Sequence, residues 1–372
     1  MRYSEVLRGI GVETVGEVAK IKDIEEFEDL LGIPAKIPSR IRLRTLSLTS
    51  GEVLQTEPFE FPGDRLIYID FETDPACINA TGTRGVIKDM IRRRWFNAVV
   101  TTCRTLDHDL ARIYTDYYHG DFLMDDRKLH DDGINRLGNV LVPNESYGMI
   151  IERKMNAFLP KIYEGLDESQ RLKGLSTHEF VWRLGELIDQ DPEASENKEQ
   201  SIIYWSWKNR IPMFIPAPTD GSVGYQVWVF SQDHDLRFNL LADESLLNDI
   251  KWDAKRSGAL IVGGGVSKHH VIWWSQFKDG GLDYAVYVST AVEWDGSLSG
   301  AQPREAVSWG KIGRDATFVN VEEDATIALP LMYAAFARAR FSSIMGYFLP
   351  GSIFMLLRLF MLLKRLFRGG FL

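Results

Sequence analysis

The sequence predicts an α/β protein: a parallel sheet flanked by helices, with a small helical N-terminal extension. One long stretch carries most of that prediction. Ala259–Lys311 reads as a buried strand, a triple-glycine turn at Gly263-Gly264-Gly265, a helix, a second buried strand and an acidic Ser/Gly-rich loop ending on a lysine. Apolar runs of that length, bounded by glycine and joined by a helix, are the signature of a βαβ unit. A second observation is that the pattern recurs upstream. NAVVTTC (97–103) runs into the helix that holds Asp107, His108 and Asp109, and IPMFIPAPTDGS (211–222) ends a strand at Asp220. The third is compositional. Of 372 residues, 45% are hydrophobic and 26% charged, values that allow a large core.

A net charge of −9 argues against a surface made to grip nucleic acid throughout. Two cysteines, Cys77 and Cys103, lack metal-ligand spacing and suit a reducing compartment. Met1–Lys20 holds acidic residues and no apolar core segment, so no signal peptide and a cytoplasmic site are expected.

In chain order, residues 1–57 form the first segment. Leu7–Ile21 places apolar residues at helical spacing around a Gly9-Ile10-Gly11 turn. It resembles a helix-hairpin-helix, whose turn amides can meet a phosphate; a small helical packing unit fits the same pattern. Residues 58–75 are a proline-punctuated linker and the strand RLIYIDF, where Asp70 and Glu72 share one strand face. That pair resembles the opening motif of DEDD-type 3′–5′ exonucleases. Nucleic acid is therefore a candidate partner of residues 1–75 alone. Asn79–Phe96 is expected as a helix, Tyr147–Glu164 and Thr177–Gln190 as two more, and Asp189–Glu199 as a mobile connection. Ser245–Arg256 reads as a helix capped by Ser245. Residues 341–372 are apolar with only basic charges. That pattern suits a helix on a membrane surface, a helix packed on the protein, or a read-through tail.

Among chemically suggestive residues, Lys311 leads. A lysine acts as an amine nucleophile only when neutral, and burial or cationic neighbours achieve that. It follows Trp309 and Gly310, an aromatic that can desolvate the amine and a glycine that permits close approach. His269 and His270 stand at a helix start, and Asp107, Asp220, Asp295 and Glu305 supply negative charge suited to a cationic substrate.

GGGVSKHH (263–270), YAVYVSTAVEWDGSLSGAQPREAVSWGKI (284–312), PAPTDGS (216–222) and GINRLGNVLVPNESY (133–147) resemble the deoxyhypusine synthase family over about residues 76–340. The resemblance implies a Rossmann-like sheet, an NAD cofactor and a homotetramer with active sites between subunits. It further implies transfer of the aminobutyl group of spermidine, through a lysine imine, to a lysine of the hypusine-bearing translation initiation factor five A. Carried over by position, Lys311 is the imine-forming lysine, and Trp309 walls the channel. His269, Gly296, Ser297, Glu305, Asp107 and His108 meet the amine. Thr102, Asp220, Gly264, Thr290, Ala291, Asp295, Asp324 and Ala325 hold NAD. No metal is implied.

The chain departs from spermidine-using relatives in having Tyr225 and Leu298 for two aspartates and Trp273 for an asparagine. Those changes leave room for a homospermidine synthase-like transfer to a free diamine or an agmatine derivative, or for an inactive, chimeric member. The family's first strand and its cofactor loop are replaced by RLIYIDF, whose Ile67 and Ile69 provide a β-rich run able to fill the vacant sheet position.

Overall fold

The computed structural model describes residues 65–71, 80 and 82–344. Its centre is a six-stranded parallel sheet: β1 (Arg65–Phe71), β2 (Ala98–Thr101), β6 (Met213–Phe214), β7 (Arg256–Val262), β8 (Leu282–Ser289) and β9 (Ile312–Glu322), in the spatial order β6-β2-β1-β7-β8-β9. The chain starts in the middle, builds outward to β6, then crosses over to β7 and builds the other half. The order therefore reverses between β1 and β7, and such a switch point opens a crevice at the carboxyl ends of the strands. RLIYIDF is thus an inner strand, pairing Asp70 with Val100 on one side and Ile261 on the other. The parallel α/β class expected from the sequence is the one observed.

Alternation within each strand explains why both faces are covered. In β2, Val99 faces one core while Ala98 and Val100 face the other. Likewise Leu260 and Val262, Val286 and Val288 point to one side, and Ala259 and Ile261, Ala285 and Tyr287 to the opposite one. Successive side chains of a strand alternate in this way, so inner strands read as continuous apolar runs.

The first core is closed by α1 (Arg84–Arg92), α2 (Cys103–Tyr114), α4 (Gly148–Glu164), α6 (Thr177–Gln190), α7 (Ile202–Asn209), α8 (Ser222–Ser231) and α12 (Ala325–Ile344). The second is closed by α9 (Leu240–Asp253), α10 (Gly265–Ser275) and α11 (Pro303–Ser308). Two short helices, α3 (Asp126–Asp131) and α5 (Glu168–Lys173), lie at the periphery. A small antiparallel sheet of β3 (Tyr118–His119), β5 (Val140–Pro143) and β4 (Ile134–Leu137) lies between α2 and α4 in the chain.

Three local expectations are corrected, and one strand is added. The helix expected over 79–96 spans only Arg84–Arg92, because Arg94 turns to φ 54° and breaks the run before Trp95. The helix placed at 245–256 begins five residues earlier. Asn239, not Ser245, caps it by accepting the Ala242 amide at 3.1 Å. The connection over 189–199 is not loose: Asp191 accepts Lys154 at 2.6 Å and the Tyr114 hydroxyl at 2.9 Å, and Ala194 is fully buried. Finally, β9 was not anticipated. It is an edge strand with a mixed burial pattern, so it lacks the apolar run that marks inner strands.

The helix-hairpin-helix reading, Glu72 of the nuclease-like pair and the apolar basic segment beyond residue 344 lie outside the described residues. Among the described residues, no helix is long and apolar enough to cross a membrane.

Candidate active site

A pocket of about 310 Å³ opens between α10 and α11 above β8. It is lined by Lys268, His269, Ile272, Trp273, Tyr287, Leu298, Ala301, Gln302, Glu305, Ala306, Trp309 and Lys311. Lys268, Ile272, Tyr287, Ala306 and Lys311 are buried, whereas His269, Trp273, Glu305 and Trp309 are exposed. The pocket therefore has an apolar, lysine-bearing floor and an aromatic rim with one carboxylate.

Lys311 is 8% exposed. Its backbone is fixed at both ends, the amide donating to Ala306 O at 3.0 Å and the carbonyl accepting Leu282 N at 3.1 Å. Gly281 lets that strand end pass close by, since a Cβ there would lie 2.6 Å from Gly310 O and 2.8 Å from Lys311 O. The Lys311 Nζ sits 5.5 Å from the Trp309 ring centroid and 5.8 Å from that of Trp273. No carboxylate pairs with it among the described residues. Two indole faces are its neighbours instead, a contact that attracts the cation weakly while keeping water away from the amine.

His269 stacks on Trp273, with centroids 5.6 Å apart and planes 22° from parallel. Burial, then the charges of Lys311 and His270, hold its imidazole below the usual range. His269 is thus a neutral base beside the lysine near neutral pH. The loop on the far side is anchored by Lys268, a residue the sequence reading passed over. Its Nζ donates to Leu298 O at 2.7 Å and Ala301 O at 2.8 Å and lies 4.3 Å from the Tyr287 ring centroid. A signal for it exists. Lys268, Val271, Ile272 and Ser275 are all buried on α10 and recur at helical spacing, so the lysine lies on the inward stripe.

The remaining candidates fall into separate groups. Gly263 and Gly265 adopt φ 89° and 77°, conformations that glycine alone tolerates well. Gly264 between them is extended, and it is Ser299 that presses on it: a Cβ would sit 2.2 Å from the serine Oγ. Gly296, at φ 72°, and Ser297 form the turn before Leu298. The Ser297 amide donates to Asp295 at 2.6 Å, and bonding to Ser297 keeps the Asp295 carboxyl below its usual range.

Asp107 and His108 do not line the pocket. Asp107 is fully buried and accepts the amides of Ser222 at 2.8 Å and Val223 at 2.7 Å and the Tyr147 hydroxyl at 2.7 Å. It caps the first turn of α8 from another element, and burial pushes its pKa up to about 6. His108 meets the Tyr117 hydroxyl at 2.7 Å, and burial lowers its pKa to about 4.

Thr102 follows β2, Asp220 precedes α8, Thr290 and Ala291 follow β8, and Asp324 and Ala325 follow β9. Each stands past the carboxyl end of a strand. Lys311 stands at the opposite edge, just before β9, whose first residue pairs with the first of β8. The lysine's backbone is therefore at the amino edge of the sheet, away from those residues. β8 has eight residues, so about 23 Å of strand separates the lysine's backbone from Thr290.

The family model for deoxyhypusine synthase matches residues 70–336, so its match begins within β1. A protein of Picrophilus torridus named "Probable deoxyhypusine synthase" is 51% identical over 279 residues, covering 75% of this chain and 84% of that protein. One of the same name from Thermoplasma acidophilum is 50% identical over 277 residues, 74% of this chain and 84% of the relative. One from Ignicoccus hospitalis is 41% identical over 292 residues, 77% and 86% respectively. With a pocket built around a buried lysine, a parallel sheet of matching span and relatives of this identity, the chain belongs to the deoxyhypusine synthase family.

Proposed function

We propose that the chain transfers the aminobutyl group of spermidine to a lysine of the hypusine-bearing translation initiation factor five A, through an imine on Lys311. The observation that carries this reading is the setting of Lys311: buried, without a carboxylate partner among the described residues, and flanked by two indoles. An amine held against two indoles, with no carboxylate among the described residues to lock it in an ion pair, is placed to attack an electrophilic carbon.

NAD fits the opposite edge. The Thr102 Oγ1 is buried with no hydrogen-bond partner among the described residues, and a buried hydroxyl in that state is short of a ligand. Thr102, Asp220, Gly264, Thr290, Ala291, Asp295, Asp324 and Ala325 would hold the cofactor. When bound, it supplies the hydride acceptor that makes the donor carbon electrophilic and the hydride that completes the product.

The chain's own residues do the rest. Glu305 holds the ammonium of the donor at the rim. The Lys311 amine replaces the departing diamine on the carbon, giving an enzyme imine. His269, neutral and adjacent, takes and returns the proton that each exchange requires. Trp309 and Trp273 exclude water, which would otherwise hydrolyse the imine. The acceptor lysine then displaces Lys311. Because the lysine and the cofactor residues stand at opposite edges of one sheet, this reading includes a homotetramer in which a second copy closes the pocket.

Borohydride added with NAD and spermidine should leave a mass adduct on Lys311, and Lys311→Ala should carry none. Transfer of label from spermidine should require the translation factor. An adduct that persists in Lys311→Ala sinks the assignment of the nucleophile, and equal transfer to free putrescine sinks the protein acceptor.

A further inference from the structure

The amino edge of the sheet, where the Lys311 backbone lies, is built from pliant chain. Gly280, Gly281 and Gly310 adopt φ 93°, 63° and 70°, and the pairing of β8 with β9 shifts register between Leu282 and Tyr284. Glycine permits such turns but brings no stiffness of its own. Yet Lys311 rests on this one. The Leu282 amide donates to Lys311 O at 3.1 Å, and the Gly281 backbone lies so close to Gly310 and Lys311 that a Cβ would not fit.

A second buried lysine stiffens the turn. Lys251 is 3% exposed and follows Asp243 and Leu247 on the inward stripe of α9. Its Nζ donates to Gly281 O at 2.8 Å and to the Ser257 hydroxyl at 2.7 Å. The Ser257 amide is in turn fixed by the Asp283 carboxylate at 2.7 Å. From the other side Lys278, in the turn after α10, donates to Trp252 O at 2.6 Å and to Ala254 O. Its own carbonyl accepts the Gly281 amide at 3.2 Å. Both polar groups of Gly281 are thereby tied to the end of α9. We infer that Lys251 is a positioning residue for Lys311, acting through the Gly281 carbonyl and the Leu282 amide. Burial lowers the Lys251 pKa to about 8 against the pull of Asp283, and the amine donates hydrogens in either state. Because Lys251 is enclosed within one copy, it does this whatever closes the pocket.

The inference deepens the proposed transfer and rests on it for the chemical consequence. Free play in the Lys311 backbone carries the amine off its line of attack, and a misplaced nucleophile costs rate rather than substrate binding. Lys251→Met keeps the apolar stem and removes the donor. In the full chain, hydrogen exchange at the Leu282 amide should accelerate about tenfold or more relative to the amides of Ala98–Thr101 in β2, the loss expected for one charge-assisted hydrogen bond. In single turnovers with NAD and spermidine, borohydride trapping on Lys311 should slow by about tenfold, the half-saturating spermidine concentration staying unchanged. Lys278→Met, at a partly exposed position, should move both readouts the same way by about threefold, and it decides the matter if Lys251→Met does not fold. Leu282 exchange that is unchanged, or that rises no more than exchange in β2, overturns the inference. So does trapping at the native rate, or a change confined to the half-saturating concentration. If the native chain forms no adduct, the transfer reading falls, and the exchange ratio alone decides whether Lys251 holds the strand end under Lys311.

Discussion

Asp107→Asn should reveal an acid sensitivity that the native chain conceals. Asp107 and His108 are adjacent, buried and shifted in opposite senses, the carboxyl from 3.8 to about 6 and the imidazole from 6.5 to about 4. Burial is the leading cause of both. For an acid with a raised folded pKa, the stabilising contribution is complete below the unfolded value and lost as pH rises through about 6. For a base with a lowered folded pKa, it is complete above 6.5 and lost as pH falls through about 4. At about 1.36 kcal/mol per unit, each shift is worth about 3 kcal/mol, and the two oppose each other.

Asparagine keeps an oxygen for the Ser222 and Val223 amides but cannot gain a proton. Only the histidine's loss then remains, and the stability gap between native chain and variant should widen by about 2 kcal/mol between pH 7 and 4.5. Urea unfolding of both proteins across that range reads the gap directly, and groups common to both cancel. Parallel curves would refute the reasoning. They would mean that Asp107 does not titrate in a buried cap, reopening its role as an amine contact.

Two further predictions concern the supports of the fold and the pocket. Lys268→Met removes two short charge-assisted bonds to the carbonyls of Leu298 and Ala301. It should cost about 2–3 kcal/mol in urea unfolding, with faster hydrogen exchange at the 296–301 amides, and unchanged exchange there would rule out the anchor. Asp109 is fully buried and accepts Arg84 at 2.7 Å, the Ser201 hydroxyl at 2.6 Å and the amides of Ile202 and Ile203 at 3.0 and 2.9 Å. Asp109→Ala strands the buried arginine and should cost about 3–5 kcal/mol. Arg84→Met with Asp109→Leu should recover part of that, and a double variant less stable than Asp109→Ala would contradict the account.

What could be read from the chain was what depends on near neighbours in sequence. The Ala259–Ser289 unit, the Thr177–Gln190 helix and the glycine turn at 263–265 declare themselves by period, cap and composition. Lys311, Trp309, His269 and Glu305 were legible as a set because three lie on one short turn-and-helix segment. The structure brings the fourth to them by laying α10 beside α11. Leu298 and Trp273 were visible as departures, and they line the same pocket.

What could not be read depends on direction and partnership. Asp107 looks like a free carboxylate until the turn at Gly221 folds over it. A Cβ on Gly221 would lie 2.6 Å from the Asp107 oxygen, so the glycine and the aspartate form one cap contributed by segments more than a hundred residues apart. Lys268 looks solvated because a lysine usually is, yet its place on the buried stripe of α10 outweighs that prior. The placement of Lys311 is the most instructive case. A strand reading supplies the sequence of edges but not which end of a helix-returned segment a residue occupies. The stretch from Thr290 through α11 carries the chain back from the carboxyl edge of β8 to the amino edge of β9, and Lys311 travels with it. The parallel topology thus puts the lysine's backbone and the residues proposed to hold the cofactor at opposite edges of the sheet. Mixing Lys311→Ala with Asp324→Ala separates a site shared between copies from one held within a single chain. If a second copy completes each pocket, mixed assemblies regain up to about a quarter of native transfer, since one interface in four carries neither change under random pairing. No recovery from mixtures that exchange subunits would place both functions within one chain.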